Sequence, residues 1–376
     1  MLSKEITVNL GSRSYPIYVG QEMLSSLAPT LQRHSLSGKV VIVTDRNVSE
    51  LHLSPIEKHL RHFGYETHSI VIPPGEKQKS LGRAAKLFTE MLQLGIDRKS
   101  VVLALGGGVI GDLAGFVAAT YQRGIPLVQL PTTLLAQVDS SVGGKVAVNL
   151  PLGKNMVGAF YQPSFVWVDA ETLPTLPSRE IVCGLGEVVK YGIALDSDLF
   201  AYLESNLDDI LELHAEHVLH VQLRCLEIKS SIVAEDERES GLRTILNLGH
   251  TIGHAIEAVG HYRLFKHGEA VLLGILAESY MAKESGLITE DVLGRIVGLI
   301  RRIPLMSSIG SVKAREIQAA TKRDKKSTNK LTRFVLPSRI GEAKIVDHVD
   351  PRLVADSLQY LRKLNNSDAH PRRSRK

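Results

Sequence analysis

Cysteine is scarce: the 376 residues hold two, Cys183 and Cys225. They are too few and too far apart for a disulfide framework or a thiolate metal motif, and such usage suits a reducing compartment. Aromatic residues make up 5% of the chain, and none interleaves with a basic stripe, which argues against a nucleic-acid surface. No apolar run reaches the roughly eighteen residues needed to span a bilayer, and the first ten residues lack a signal-peptide core. Internal repeats and low-complexity tracts are also missing. The expectation is a soluble, cytoplasmic chain with neither membrane nor nucleic acid as partner. Charge is nearly balanced, 45 basic against 40 acidic residues for a net +5, which is compatible with an anionic small-molecule substrate. Part of the excess lies in the tail 370–376, read with the residues from about 366 as a solvated, disordered end.

What is present is enough apolar residue, 44%, for a sizeable core, in a chain longer than one core usually serves. Short apolar runs at 40–44, 68–72, 101–105, 127–130 and 165–168 alternate with helix-length segments such as 81–94. That alternation predicts an α/β domain with a mostly parallel sheet. Past residue 175 the pattern turns long and helical, at 198–213, 214–235, 250–259 and 270–284. Two β-like runs, 333–336 and 343–346, follow. The boundary is placed near 174–178, giving an α/β domain over 1–176 and a mainly α-helical domain over 177–376.

The run at 101–105 leads into Gly106, Gly107, Gly108, Val109, Ile110, Gly111 and Asp112, read as a strand, a glycine turn and a helix start. Backbone N–H groups in such a turn can approach a pyrophosphate, with the positive end of the helix behind them. Gly106, Gly108 and Gly111 match the dinucleotide spacing, yet the ribose-binding acid expected roughly twenty residues later is missing. An acid does follow an earlier strand, at Asp45. The turn reads as a nucleotide site of unusual build.

Glu187, His250 and His267 together make a sound three-ligand set for a catalytic metal with open positions, although spacing this wide does not by itself specify one. His250 and His254 stand at i,i+4, but Thr251 occupies the place of the glutamate that a metalloprotease helix needs. His214, His217 and His220 spread around a helix and read as a partly exposed face. Lys145, Lys154 and Asn155 lie in a glycine-rich stretch, where lysines offer mobile point charges for phosphate or carboxylate. Taken singly, each could be an ordinary surface residue.

Residues 120–163, the Pro-Gly-Glu-Lys-Gln-Lys-Ser-Leu segment at 74–81, and the runs 186–190, 246–251 and 266–270 closely resemble 3-dehydroquinate synthases, in the same order. The resemblance runs from about Asp45 to 324–326. It implies a nucleotide-binding first domain, a metal-binding second domain, NAD, and a divalent metal (Zn²⁺ or Co²⁺) on Glu187, His250 and His267. It implies nucleotide contacts from Asp45, Glu76, Lys79, Gly107 to Asp112, Thr132, Thr133, Lys145, Lys154, Thr172, Leu173, Pro174 and Thr175. Around the substrate phosphate it implies Arg123, Lys145, Asn155, Asn247, His254 and one or both of Lys325 and Lys326. Lys154 joins the lysine-rich anion site. Lys229 and Arg243 would hold a carboxylate, with Glu239 as an orienting acid, and Asp139 and Lys190 would address hydroxyls. For Glu76 and Lys79 an i,i+3 pair, for Thr132 and Thr133 helix capping, and for Lys229 and Glu239 a charged helix face stay open beside these roles.

The activity so implied is conversion of 3-deoxy-D-arabino-heptulosonate 7-phosphate to 3-dehydroquinate and phosphate, in the shikimate pathway. Its stages are transient oxidation, phosphate elimination, reduction, ring opening and aldol closure. A homodimer with Arg123 reaching across the subunit boundary is also implied. The competing readings are another sugar-phosphate cyclase, a metal-dependent polyol dehydrogenase, and a nucleotide-binding protein with a degenerate site.

Overall fold

The computed structural model describes residues 3–239, 241–306, 309–326, 333–347 and 349–367. The chain divides into two compact units, Met1–Pro177 with Leu213–Arg238, and Ser178–Glu212 with Glu239–Lys376.

The first unit is built on a seven-stranded sheet. Its strands are β1 (Ser3–Val8), β2 (Tyr15–Gly20), β3 (Val40–Asp45), β4 (Thr67–Ile72), β5 (Val101–Gly106), β6 (Leu127–Pro131) and β9 (Phe165–Asp169). They lie in the order β1-β2-β9-β6-β5-β3-β4. Every pairing is parallel except β1 with β2. The strands β3, β5, β6 and β9 are mostly apolar and buried along nearly their whole length, because helices cover both faces of a parallel sheet. Alternation shows it: Val41, Val43, Val102 and Ala104 pack with Leu87 and Met91 of α4 (Leu81–Gln93) and Leu113 and Val117 of α5 (Gly108–Thr120). Val40, Ile42, Val101 and Leu103 point the other way, onto Leu27 and Leu31 of α1 (Leu24–Arg33) and Leu60 of α3 (Ser54–His62). The single turn α2 (Arg46–Val48) follows β3. An antiparallel hairpin, β7 (Lys145–Leu150) with β8 (Gly153–Phe160), is tied to the segment before α4, where Asn149 N–H donates to the Lys79 carbonyl at 2.8 Å.

One helix departs from the domain boundary expected at 176/177. The helix α8 (Ala215–Glu235) falls in the first unit, where Leu226 and Val233 pack on Val8, Ile17, Val166 and Val168. Its amphipathic pattern announces a helix but not which apolar face receives it.

The second unit is mainly helical: α6 (Ser178–Ala194), α7 (Ser197–Leu211), α9 (His250–Val259), α10 (His267–Glu284), α11 (Glu290–Arg302), α12 (Ala314–Lys326) and α13 (Pro351–Ser367), with the antiparallel pair β10 (Arg333–Arg339) and β11 (Glu342–Asp347). Asp196 caps α7 by accepting from Asp198 and Leu199 N–H at 3.0 Å, and Thr289 caps α11. The helix α10 is buried along nearly its whole length, with α6, α9, α11 and α13 packed around it; a helix apolar all round is a core helix. Among the described residues no helix is long and apolar enough to cross a membrane.

Candidate functional site

The nucleotide residues expected in the first unit collect along one edge. Asp45 ends β3, Gly106 ends β5, Thr132 and Thr133 follow β6, and 172–175 follow β9; β9, β6, β5 and β3 are consecutive neighbours in the sheet. From β3 the chain adds β4 on one side, then crosses back to place β5 on the other. Ligands of open α/β sheets bind at such a reversal, outside the carboxyl ends of the strands. The strand beside the glycine strand is an earlier one, so its terminal acid, Asp45, precedes the glycines.

The helix α5 starts at Gly108 with Gly107 as its N-cap and no capping side chain. Its first-turn N–H groups therefore suit an anion. Asp45 instead caps α2, accepting from Val48 N–H at 3.2 Å. Thr133 accepts from Ala136 N–H at 3.2 Å, while the Thr132 hydroxyl is buried with no hydrogen-bond partner. Gln137, which sequence reasoning missed, donates to the carbonyls of Pro131 and Asp169 and to Thr172 Oγ1 at 2.9–3.1 Å. It thereby joins the ends of β6 and β9, and Gln222 of α8 donates to it in turn at 2.6 Å.

Lys79 is buried and ion-paired with Asp112 of α5. Burial pushes the Asp112 carboxyl up to about 6, with the Lys79 ammonium opposing. Glu76 accepts from Asn149 Nδ2 at 2.8 Å and stands 4.0 Å from Lys154 Nζ. Asn149 also accepts from Asn155 N–H at 2.9 Å. Glu76, Lys79, Lys154 and Asn155 are thus brought together at the β7–β8 hairpin. In the same unit Lys229 of α8 pairs with Asp139 at 2.5 Å, joining two residues to which the resemblance gives different parts of the ligand. Arg123, Asn155 and Glu239 all have left-handed backbone, with φ of 71°, 55° and 57°. That conformation is uncommon outside glycine and concentrates at sites where the surrounding structure enforces it.

The second unit assembles the expected metal trio. Glu187 Oε1 lies 3.5 Å from His250 Nε2 and 3.3 Å from His267 Nε2, and one ligand atom from each residue falls within 4.8 Å of the others. Glu187 is 1% exposed, and its Oε1 has no hydrogen-bond partner, an expensive state for a buried carboxylate oxygen. Its Oε2 is paired with Lys190. Burial alone would raise Glu187, but the Lys190 ammonium and the two imidazoles outweigh it and hold it well below the usual carboxylate range. Burial lowers His250 to about 3 against the pull of Glu187. His267, lowered by burial, is carried up to about 10 by Glu187 and Glu257. The outer nitrogens are engaged: His250 Nδ1 faces the Leu248 carbonyl and His267 Nδ1 faces Glu257 Oε2, both at 3.1 Å. Both Nε2 atoms are left toward Glu187. His254 is exposed, its ring centroid 5.3 Å from that of His250 and 5.8 Å from that of His267.

The three helices that supply the trio are locked by contacts the sequence did not flag. Glu278 of α10, fully buried, accepts from Gly249 N–H at 2.5 Å and Ile252 N–H at 3.4 Å. It caps α9 from outside, and burial pushes its carboxyl up to about 8. Gly249 has φ +80°, and a Cβ there would lie 2.7 Å from the Val271 carbonyl oxygen. A Cβ on Gly268 would lie 1.8 Å from the Cys183 carbonyl oxygen, so α6 and α10 meet backbone to backbone. Glu269, also fully buried, accepts from Arg179 at 3.0 and 2.7 Å, clamping the start of α6 to the start of α10. Asn247 donates to Glu239 at 3.2 Å, and Arg243 is buried.

Lys325 and Lys326 end α12, but their side chains lie outside the described residues, as does the basic tail 368–376. His214 and His220 are exposed and His217 half-buried, in keeping with a helix face. Burial pushes the Cys183 thiol up to about 12, which leaves it inert as a nucleophile.

Comparison with known proteins places this geometry. The family pattern described as 3-dehydroquinate synthase N-terminal matches residues 69–183, and the one described as 3-dehydroquinate synthase C-terminal matches residues 184–327. A 3-dehydroquinate synthase of Caldanaerobacter subterraneus subsp. tengcongensis is 48% identical over 342 residues, covering 91% of this chain and 96% of the relative. Among solved structures, 2-epi-5-epi-valiolone synthase (ValA) from Streptomyces hygroscopicus subsp. jinggangensis, with NAD⁺ and Zn²⁺ bound, is similar with a TM-score of 0.86. It is 29% identical, and the match covers 94% of this chain and 98% of that one. A 2-deoxy-scyllo-inosose synthase complexed with carbaglucose-6-phosphate, NAD⁺ and Co²⁺ has the same TM-score at 27% identity, covering 96% and 100%. With both halves matched in order and nearly half of the residues shared over almost its full length, the chain belongs to the 3-dehydroquinate synthase family.

Proposed function

We propose that the chain is a 3-dehydroquinate synthase, a lyase that converts 3-deoxy-D-arabino-heptulosonate 7-phosphate to 3-dehydroquinate and phosphate. The observation that carries the reading is the convergence of Glu187, His250 and His267 in a chain 48% identical to such an enzyme. The donor set fits a divalent cation: one carboxylate with a buried, unpartnered oxygen and two imidazoles whose outer nitrogens are already engaged. The carboxyl edge of β9, β6, β5 and β3, with the uncapped start of α5 and Asp45 beside it, fits a dinucleotide. When bound, NAD⁺ would take a hydride from a secondary alcohol and later return it, and Zn²⁺ or Co²⁺ would supply Lewis acidity at that oxygen.

The chain's own residues do the rest by holding the substrate. Lys190 and Asp139 are assigned to its hydroxyls, and Arg243 and Lys229 to its carboxylate. Lys145, Asn155, Asn247, His254 and the Lys325–Lys326 pair are assigned to its phosphate, and Glu239 orients Asn247. Lysine suits the phosphate side because it follows a leaving group as a mobile point charge, whereas the planar fork of Arg243 suits a fixed carboxylate. No side chain is named as the base for phosphate elimination, since the substrate phosphate can take that proton itself. Binding several charged groups of the substrate in one orientation lets successive steps proceed mainly by positioning.

The test supplies metal, NAD⁺ and either the heptulosonate phosphate or sedoheptulose 7-phosphate, and measures phosphate release and cyclic product. The keto acid phosphate is expected to be preferred by at least about a hundredfold, because sedoheptulose 7-phosphate lacks the carboxylate assigned to Arg243 and Lys229 and forgoes its charge-assisted hydrogen bonds, a loss of about 3 kcal/mol. Equal turnover of the two would move the assignment to a cyclitol-forming relative. Arg123, set at a left-handed turn, is assigned to the phosphate of a partner subunit in a homodimer; sedimentation of the fully active protein as a monomer would remove that assignment.

A further inference from the structure

His250, His254 and Glu257 stand on one face of α9, at i, i+4 and i+7. The first belongs to the proposed metal trio and the second to the phosphate contacts; the third has no part in the reaction as proposed. Glu257 is only 4% exposed, and a carboxylate is costly in such a place unless its hydrogen bonds make it useful. Its Oε2 lies 3.1 Å from Nδ1 of His267, on the side of the ring away from Glu187, whose Oε1 is 3.3 Å from Nε2.

We infer that Glu257 is the positioning residue of His267: it accepts the Nδ1–H hydrogen bond, fixes the ring so that Nε2 faces Glu187, and makes that nitrogen, once a cation displaces its proton, a stronger donor. The inference rests on the metal reading of the trio. Its physical basis is that a neutral imidazole carries one proton. The group that accepts from one ring nitrogen decides that the other is the ligand, and an anionic acceptor pushes electron density toward it. His250 has the weaker version of the same arrangement, with a backbone carbonyl as the acceptor, so the two imidazoles are unequal ligands. A rival role is available to this carboxylate, since donor atoms of His254, Glu257 and His267 also lie within 4.8 Å of one another and could hold a second cation. Orientation is favoured because a cation on Nδ1 would have to displace the ring's remaining proton while Nε2 served the first cation.

The experiment titrates metal-free wild-type protein, Glu257→Gln and Glu257→Ala with Co²⁺. It follows the visible absorption bands of the bound ion and the affinity by competition with a chelator, with circular dichroism as the check on folding. Wild type is expected to take one equivalent. Glu257→Gln, which keeps an acceptor but loses the charge, is expected to bind about tenfold more weakly. Glu257→Ala is expected to bind up to about a hundredfold more weakly, with shifted bands. Wild-type affinity and spectrum in both folded variants would overturn the inference while leaving the metal reading intact. Two equivalents in wild type and one in the variants would overturn it in favour of a second cation site. Absence of Co²⁺ binding by wild type would sink both this inference and the metal reading beneath it. Should Glu257→Ala fail to fold, the isosteric Glu257→Gln decides alone.

Discussion

Chelating the divalent cation is expected to abolish turnover, and adding back Zn²⁺ or Co²⁺ to restore it. Replacing Glu187, His250 or His267 by alanine should remove metal and activity together. A bound cation contributes several kcal/mol of charge stabilisation to such chemistry, and each 1.36 kcal/mol is tenfold in rate, so the loss in phosphate release is expected at about a thousandfold or more. Glu187 should be the most sensitive of the three. It lies buried between Lys190 and the two imidazoles, and one of its oxygens has no hydrogen-bond partner. Removing it also takes an ion-pair partner from the buried Lys190 ammonium, which is 2% exposed, so folding must be followed alongside metal content. Full activity in a preparation shown to be free of metal would end this reading.

The second large effect separates a synthase from a dehydrogenase. If the same carbon is oxidised and later reduced, substoichiometric NAD⁺ should support hundreds of turnovers. One phosphate should appear per substrate consumed, and absorbance at the NADH maximum should show no steady rise. A polyol dehydrogenase needs the glycine turn and the metal trio but no anion-binding lysines, and it forms one NADH per product. Stoichiometric NADH from glycerol or another polyol, without phosphate release, would replace the synthase assignment with that one.

Much of this could be read from the residues because parallel strands buried on both faces leave an unmistakable trace. The runs ending at Thr44, Leu105, Leu130 and Val168 each became a central strand. The pairs β1–β2 and β7–β8 left no such trace. The edge strand β1 is mostly exposed, and β7 and β8 mix Lys145, Asn149, Lys154 and Asn155 with glycines; cross-strand pairing, not hydrophobic run length, holds these three. Within the site, motif residues such as Glu187 and His250 were legible as members of a family pattern. Their supports were not. Glu278 sits 28 residues after His250, and nothing in a core helix as uniformly apolar as α10 says which of its few carboxylates faces a neighbouring helix terminus. Glu257 could have been found, since i+7 from His250 continues the face already marked by His254. The left-handed backbone of Arg123 and Glu239 has no sequence signal at all, because neither residue type favours it.

The location of α8 makes this chain indivisible in a way its two family segments conceal. A fragment ended at Pro177 would be contiguous and would contain every strand of the large sheet, yet it would lack Leu226 and Val233, which cover Val8, Ile17, Val166 and Val168. It would also lose Gln222, which braces Gln137 beneath the strand ends, and Lys229, the partner of Asp139. The nucleotide half is therefore finished only after translation has passed into the helical half and come back. Its folding is bound to the synthesis of residues beyond 235, and swapping it as a cassette between relatives would require carrying α8 along.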